Sequence, residues 1–276
     1  MIITGAVPSF QESSSPELDD VLQTLRTKIV VPGYLNKKQQ KLIFGRRFAS
    51  QLDNDPVYAS IGNEEFRLQY LDPQKDIPRT STLLEQVFEL TKDHTDWQNW
   101  LSILEGLEES RNVPDLKSKF VRRAIQAGEW NTVMQALKQV ERNGLSMRSP
   151  EVRRSVFVTP RLYAKERGWT KEVLEISFRF VKQAAELMEH PSHCGSRKVT
   201  ERDPRAEPLV LGTLLELAAR CARCEGFESY KPLAEGYTGK LLNALKQQDT
   251  ELVSYPNYLL YAIFGTHRSS RKRLMY

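Results

Sequence analysis

Cys221 and Cys224 form a C-x-x-C pair, and His190, His193 and Cys194 lie about 30 residues upstream. Thiolate and imidazole are the ligands of a tetrahedral zinc site. The spacing is irregular, however, and Cys221 falls on the helical stripe of Ala218 and Ala222, so burial as small hydrophobic side chains is the better reading. A redox C-x-x-C opens a helix after a strand, whereas this one closes a long helix. Nucleophilic catalysis needs a Ser or Cys with a His base held by a carboxylate. His94, His190, His193 and His267 all sit in polar contexts, with no elbow motif around any serine. No glycine-rich phosphate loop is present, and the adjacent acids Glu64-Glu65 and Glu108-Glu109 read as solvated faces. The sequence therefore assigns no catalytic, cofactor-binding or metal-binding residue.

The chemistry that remains is cationic. Arg26, Lys28, Lys37, Lys38, Lys41, Arg46 and Arg47 fall within residues 26 to 50 without one acid, interleaved with Tyr34, Phe44 and Phe48. Arg268, Arg271, Lys272 and Arg273 crowd the C-terminal tail. Such segments neutralise phosphates and release counterions, and the aromatic rings can stack on exposed bases. These eleven residues are the expected RNA contacts. A solvated helix face and a free tail are the plainer alternative.

The whole chain frames these segments. It has 276 residues and a formal net charge of +5, distributed in blocks. Residues 1–25 carry −4, residues 26–50 +7, residues 51–115 −9 and residues 116–276 +11. Alternation of this kind suggests a polyanion-facing arm and C-terminal half around an acidic middle. No apolar run approaches the ~18 residues of a membrane span, and no small-molecule substrate is expected. Three cysteines are too few for a disulfide framework, which points to a reducing compartment. The first 25 residues have neither the Arg-rich amphipathic pattern of a matrix presequence nor a secretory core, so no cleavable address is visible.

Residues 1–15 are polar and aperiodic and read as a mobile tail, and residues 1–25 as a disordered acidic segment. Ser15-Pro16 marks a helix start, with a stop expected before Val30-Val31-Pro32-Gly33. Asn36 can cap a second, basic helix. Pro56 to Ile61, Gly62-Asn63, then Glu64 to Leu71 predict a β-hairpin. From residue 80 the pattern is helical: Leu83, Leu84, Val87 and Leu90, then Trp97, Trp100, Leu101, Leu104 and Leu107. Leu174, Phe178, Val181, Ala185 and Met188 on one face, with Val173, Phe180, Ala184 and Leu187 on another, predict a helix held between neighbours. A polar loop over residues 190–206, two further helices and an aromatic run of Tyr255, Tyr258, Tyr261 and Phe264 complete the chain.

Residues 114–148 repeat in outline after Pro150. Pro114-Asp115, a helix, Ala127-Gly128-Glu129-Trp130 and a second helix are followed by Pro150-Glu151, a helix, Arg167-Gly168-Trp169 and another helix. This grammar indicates stacked helical hairpins. The unit resembles a pentatricopeptide repeat through Ala127-Gly128, the run ALKQVERNG from Ala136 to Gly144, and Pro150-Glu151. The polar positions with which that family reads one base per repeat show no consistent pair. Over residues 28–245, the order of basic helix, PVYASIGNEEFRL, LDPQKDIPRT, DWQNWLSILEGL, the repeat and MEHPSHCGSRK is similar to fungal mitochondrial ribosomal proteins, with the large-subunit family as the best match. That resemblance implies the mitochondrial matrix and a structural role on ribosomal RNA among other ribosomal proteins.

The expectation is an all-α, pentatricopeptide-like helical-hairpin solenoid with a small N-terminal β-hairpin. Its parts are an acidic segment over 1–25, a basic helix plus hairpin over 26–79, a repeat domain over 80–265 and a basic tail over 266–276. The expected function is that of a non-catalytic large-subunit component without a cofactor. The alternatives are a free helical-repeat RNA-binding factor in organellar RNA maturation or translation, and an RNA-independent scaffold docking through residues 51–115.

Overall fold

The N-terminal polar residues are tied down by two buried side chains of a later helix. The computed structural model describes residues 6–110, 115–195, 203–224, 226 and 228–247. In it Val7 and Pro8 are buried. The Gln11 N–H donates to Asn99 Oδ1 at 2.8 Å and the Gln11 carbonyl accepts from Asn99 Nδ2 at 3.0 Å. Ser14 donates to Asp96 through its N–H at 2.8 Å and its hydroxyl at 2.7 Å. Burial works against the Asp96 carboxylate, but hydrogen bonds from Lys92, Ser14 and Asp93 outweigh it and hold its pKa below the usual range. The mobile tail expected over residues 1–15 is thus corrected for residues 6–15. Low apolar content reads as disorder until the polar partners of the segment are known.

Ser15 caps Pro16–Leu25 (α1), its hydroxyl accepting from the Leu18 N–H at 3.3 Å. The helix expected from Ser15-Pro16 forms, with Leu18, Leu22 and Leu25 buried, so the disorder expected over residues 1–25 does not extend to this stretch. The helix does not stop before Val30. A π turn over Arg26–Val30 leads directly into Val31–Tyr34 (α2). Pro32 follows that wider turn, where the i to i−4 ladder is already interrupted and its missing N–H costs little. Lys37–Phe44 (α3) and Ala49–Asn54 (α4) come next.

The hairpin forms as its sequence predicts. Tyr58–Ile61 (β1) pairs antiparallel with Glu64–Arg67 (β2), with Ile61 opposite Glu64, and Gly62 takes φ +59° in the turn. Thr80–Leu90 (α5), His94–Ser110 (α6) and Leu116–Ala127 (α7) follow. Phe88 and Trp100 stack with centroids 3.9 Å apart, and Trp97 and Phe120 pack around them. Trp100, fully buried, satisfies its indole N–H on Thr91 Oγ1 at 3.2 Å.

Trp130–Lys138 (α8), Val140–Asn143 (α9), Pro150–Glu166 (α10), Lys171–Leu187 (α11), Pro208–Cys221 (α12) and Tyr230–Gln247 (α13) complete the described elements. The chain divides into two units, one of residues up to Phe120 with Glu141–Leu145, the other of Val121–Val140 and residues from Ser146 onward. Helices α5 and α6, assigned by sequence to the repeat body, belong to the first.

Within the second unit the hairpins stack. Arg122 of α7 reaches Ser155 of α10 at 3.4 Å, Trp130 of α8 meets Phe180 of α11 edge-on at 5.3 Å, and α12 packs against α10, α11 and α13. The two glycine turns that suggested a repeat share one hydrogen-bond pattern, although Trp169 after the second is also left-handed (φ +59°) and Glu129 after the first is not (φ −85°). Gly128 (φ +87°) donates to Ile125, and Glu129 to Ala124, while Gly168 (φ +69°) donates to Lys165, and Trp169 to Ala164. These are Schellman closures with a left-handed residue at the same place in each. The α12–α13 pair adds a third hairpin, which its long connection and weak apolar period conceal in the sequence. Among the described residues the fold is all-α with one small hairpin, as expected.

Candidate nucleic-acid interface

Helix α3 carries three of the expected RNA contacts, Lys37, Lys38 and Lys41, on a well-anchored element. The Asn36 side chain accepts from the Lys38 and Gln39 N–H groups at 3.0 Å, while Gln39 Oε1 accepts from the Asn36 N–H at 3.0 Å, closing a capping box. Gln40 Nε2 bridges the Pro32 and Leu35 carbonyls, each at 3.0 Å. Ile43 is buried, and its carbonyl receives the Leu71 N–H at 2.8 Å. With that face occupied, Lys37, Lys38 and Lys41 project from the other, and Arg46 and Arg47 from the turn that follows; all five are exposed. The Arg47 guanidinium lies over the Phe48 ring, 4.5 Å from its centroid. None of the five meets a carboxylate among the described residues. Of the acids further along the chain, Asp76 Oδ2 accepts from the Asp72 N–H, and Asp72 Oδ1 from the Gln74 N–H.

Two of the expected contacts lie elsewhere. Arg26 turns inward, forming an ion pair with Glu64 at 2.8 Å and donating from Nε to the Pro8 carbonyl at 3.0 Å. It joins α1, the hairpin and the N-terminal strap, a role invisible in a count of basic residues. Lys28 is half-buried on the π turn. Of the aromatic side chains, Tyr34 is buried, so it offers no stacking surface, while Phe44 and Phe48 are half-buried. Arg268, Arg271, Lys272 and Arg273 lie outside the described residues.

The sulfur and imidazole candidates are placed by structural bonds. His193 is buried, its Nε2–H donating to the Leu137 carbonyl at 3.0 Å and its Nδ1 accepting from the Met147 N–H at 3.2 Å. That pattern requires the neutral ring, and burial lowers its pKa. Arg148 donates to the His193 carbonyl at 2.7 Å, fastening the same loop. Cys221 is buried at the end of α12, its thiol pushed up to about 12 by burial, and Cys224 Sγ faces the Arg220 carbonyl at 3.6 Å. Burial likewise pushes the Cys194 thiol up. Among the described residues no three His, Cys, Asp or Glu side chains gather as a metal site would require.

Sequence reasoning missed the buried ion pairs of the second unit. Arg161 Nε meets Glu216 Oε2 at 2.7 Å with both side chains under a tenth exposed, and Glu216 Oε1 also accepts from Arg220 at 3.1 Å. Arg220 in turn lies over the Trp169 ring at 3.7 Å. Arg153, also buried, donates to the Met147 carbonyl at 2.9 Å and pairs with Glu207. The signal was present, since Arg153 shares a helical face with Phe157, Pro160 and Ala164.

These features describe a helical protein whose chemistry is carried by surface charge. A family model described as Mitochondrial ribosomal protein mS27 matches residues 2–272, and the chain belongs to that family. It is 28% identical over 231 residues to the "Small ribosomal subunit protein mS27" of Neurospora crassa, a match covering 79% of this chain and 58% of that protein. The chain thus spans less than two thirds of that relative's length. The match corrects the large-subunit expectation. The basic helix, hairpin and helical repeat that carried the resemblance report charge and backbone period, and neither names a subunit. Among the described residues no helix is long and apolar enough to cross a membrane.

Proposed function

We propose that this chain is a non-catalytic structural component of the small subunit of the mitochondrial ribosome. It works in the mitochondrial matrix, seated on ribosomal RNA through Lys37, Lys38, Lys41, Arg46 and Arg47 and meeting neighbouring ribosomal proteins through its helical body. The observation that carries the RNA contact is the group of five exposed cations on and just after the capped helix α3, none paired with an acid among the described residues. Phosphate contacts of this kind are sequence-independent and salt-sensitive, which suits a fixed RNA surface. The tail cations Arg268, Arg271, Lys272 and Arg273 are proposed as a second contact of the same chemistry.

Sucrose-gradient sedimentation of mitochondrial lysate with quantitative mass spectrometry tests the reading. The expected result is one copy per small subunit, released by RNase, with the Lys37, Lys38, Lys41, Arg46 and Arg47→Glu variant shifted to the top of the gradient. Sub-stoichiometric binding that disappears at moderate salt would instead identify a free RNA-binding factor. Partner binding that survives nuclease, with the chain at the top of the gradient, would identify the scaffold acting through residues 51–115.

A further inference from the structure

The two edges of the hairpin differ. Leu68 donates its N–H to the Val57 carbonyl at 2.8 Å, and the register places Ala59 opposite Phe66 and Ile61 opposite Glu64. Antiparallel ladders alternate bonded and non-bonded pairs. Residues 57, 59 and 61 therefore bond across to 68, 66 and 64, while the N–H and C=O groups of Tyr58 and Ser60 project from the outer edge of β1. Those of Glu65 and Arg67 project from the outer edge of β2. Among the described residues none of these edge groups has a hydrogen-bond partner.

Side chains separate the edges further. The β2 edge carries the exposed charges Glu65 and Arg67, the usual guard against another strand. The β1 edge carries no charge. Its Tyr58 is 58% exposed, the highest among the described large hydrophobic side chains, and Ser60 beside it is exposed as well. An uncharged edge with alternating free donors and acceptors and an open aromatic ring is complementary to an extended polypeptide, which supplies both kinds of backbone group at strand spacing. An RNA backbone offers phosphate acceptors but cannot answer the carbonyls in the same alternation.

We infer that the outer edge of β1 takes an extended segment of a neighbouring protein as a third strand, with a β-branched or aromatic side chain of that segment beside Tyr58. The inference rests on the ribosomal reading, since the neighbour is met within the subunit. Beside Tyr58 such a side chain forms the cross-strand pair that favours strand addition, while the charged β2 edge stays open to water.

Hydrogen exchange of the full-length chain, free and in purified mitochondrial small subunits, tests this. The amides of Tyr58 and Ser60 should exchange at least about tenfold more slowly in the subunit, and those of Glu65 and Arg67 at unchanged rates. Equal exchange of Tyr58 and Ser60 in both states would overturn the inference. So would protection that appears in the free chain with rising concentration, which assigns the edge to a second copy, or protection that vanishes on RNase digestion of subunits whose protein neighbours stay bound. Ser60→Pro removes an edge donor that the hairpin does not use and should lower retention in salt-washed subunits. Arg67→Pro, its counterpart on the other edge, should not, and retention of both variants would also count against the inference. If the chain is absent from the subunit fractions, the ribosomal reading itself fails. A chain present with freely exchanging Tyr58 and Ser60 defeats only the strand addition.

Discussion

Two Arg-Arg pairs show how differently the two units use the same residues. Arg46 and Arg47 of the first unit are both exposed and meet no carboxylate among the described residues. In the second unit Arg154 is exposed, but Arg153 is buried against Glu207 and the Met147 carbonyl, and Arg161 further along the helix is buried against Glu216. Arg46 and Arg47 stay in water, where they remain able to meet phosphate. Arg153 and Arg161 are committed to internal bonds, and the Arg161–Glu216 pair fixes one hairpin to the next. Positive charge in a sequence thus marks a cation able to form a contact, and the packing of its helix face decides whether that contact is internal or external.

The largest expected effect would break the second half of this contrast. Glu216→Ala leaves Arg161 buried without its carboxylate and should destabilise the fold by about 3–5 kcal/mol, measured by urea unfolding. A loss under about 1 kcal/mol would mean that the pair is as dispensable as a surface bridge. Next, the five-site Glu variant over Lys37 to Arg47 should leave urea stability nearly unchanged. It should lower the slope of log affinity for ribosomal RNA against log salt by roughly 3.5 to 4.5, at about 0.7–0.9 for each of the five phosphates that are no longer neutralised. An unchanged slope would remove these residues from the interface.

The shared turn gives a smaller effect. Gly128→Ala and Gly168→Ala should each cost about 1 kcal/mol, because no heavy atom lies within 4 Å of either added Cβ and only the positive φ opposes it. Clearly unequal costs would show that the two turns are not equivalent.

The smallest effect is set by pH. The folded pKa of His193 lies below its ordinary 6.5, so the unfolded chain binds the extra proton first. Its contribution to stability is complete above 6.5 and is lost as pH falls from there through the folded pKa. His193→Phe should flatten this part of the stability profile, and an unaltered slope would locate the titration elsewhere.

Much of the architecture was legible because helix and strand periods are local. The Ser15 and Asn36 caps, the Gly62-Asn63 turn and the glycine closures at Gly128 and Gly168 follow from backbone preferences of a few residues, and the structure has them where the sequence puts them. The cationic group from Lys37 to Arg47 was legible for the same reason, since a short helix with no acid and a single buried stripe must expose its lysines. The subunit was not legible, because charge blocks and helix period describe how a chain folds and binds a polyanion without specifying which one.

Sequence by itself determined the helical body, the hairpin and the concentration of charge, all matters of neighbours along the chain. Only the tertiary structure decided that Arg26 belongs to Glu64, that Arg161 belongs to Glu216, that His193 is neutral between two backbone groups, and that residues 6–15 are held by Asp96 and Asn99. Each of these joins residues 38 to 88 positions apart, or in the case of His193 46 and 56. The free energy of a polar group depends on whether its partner arrives when water leaves, and that is settled by packing between distant segments.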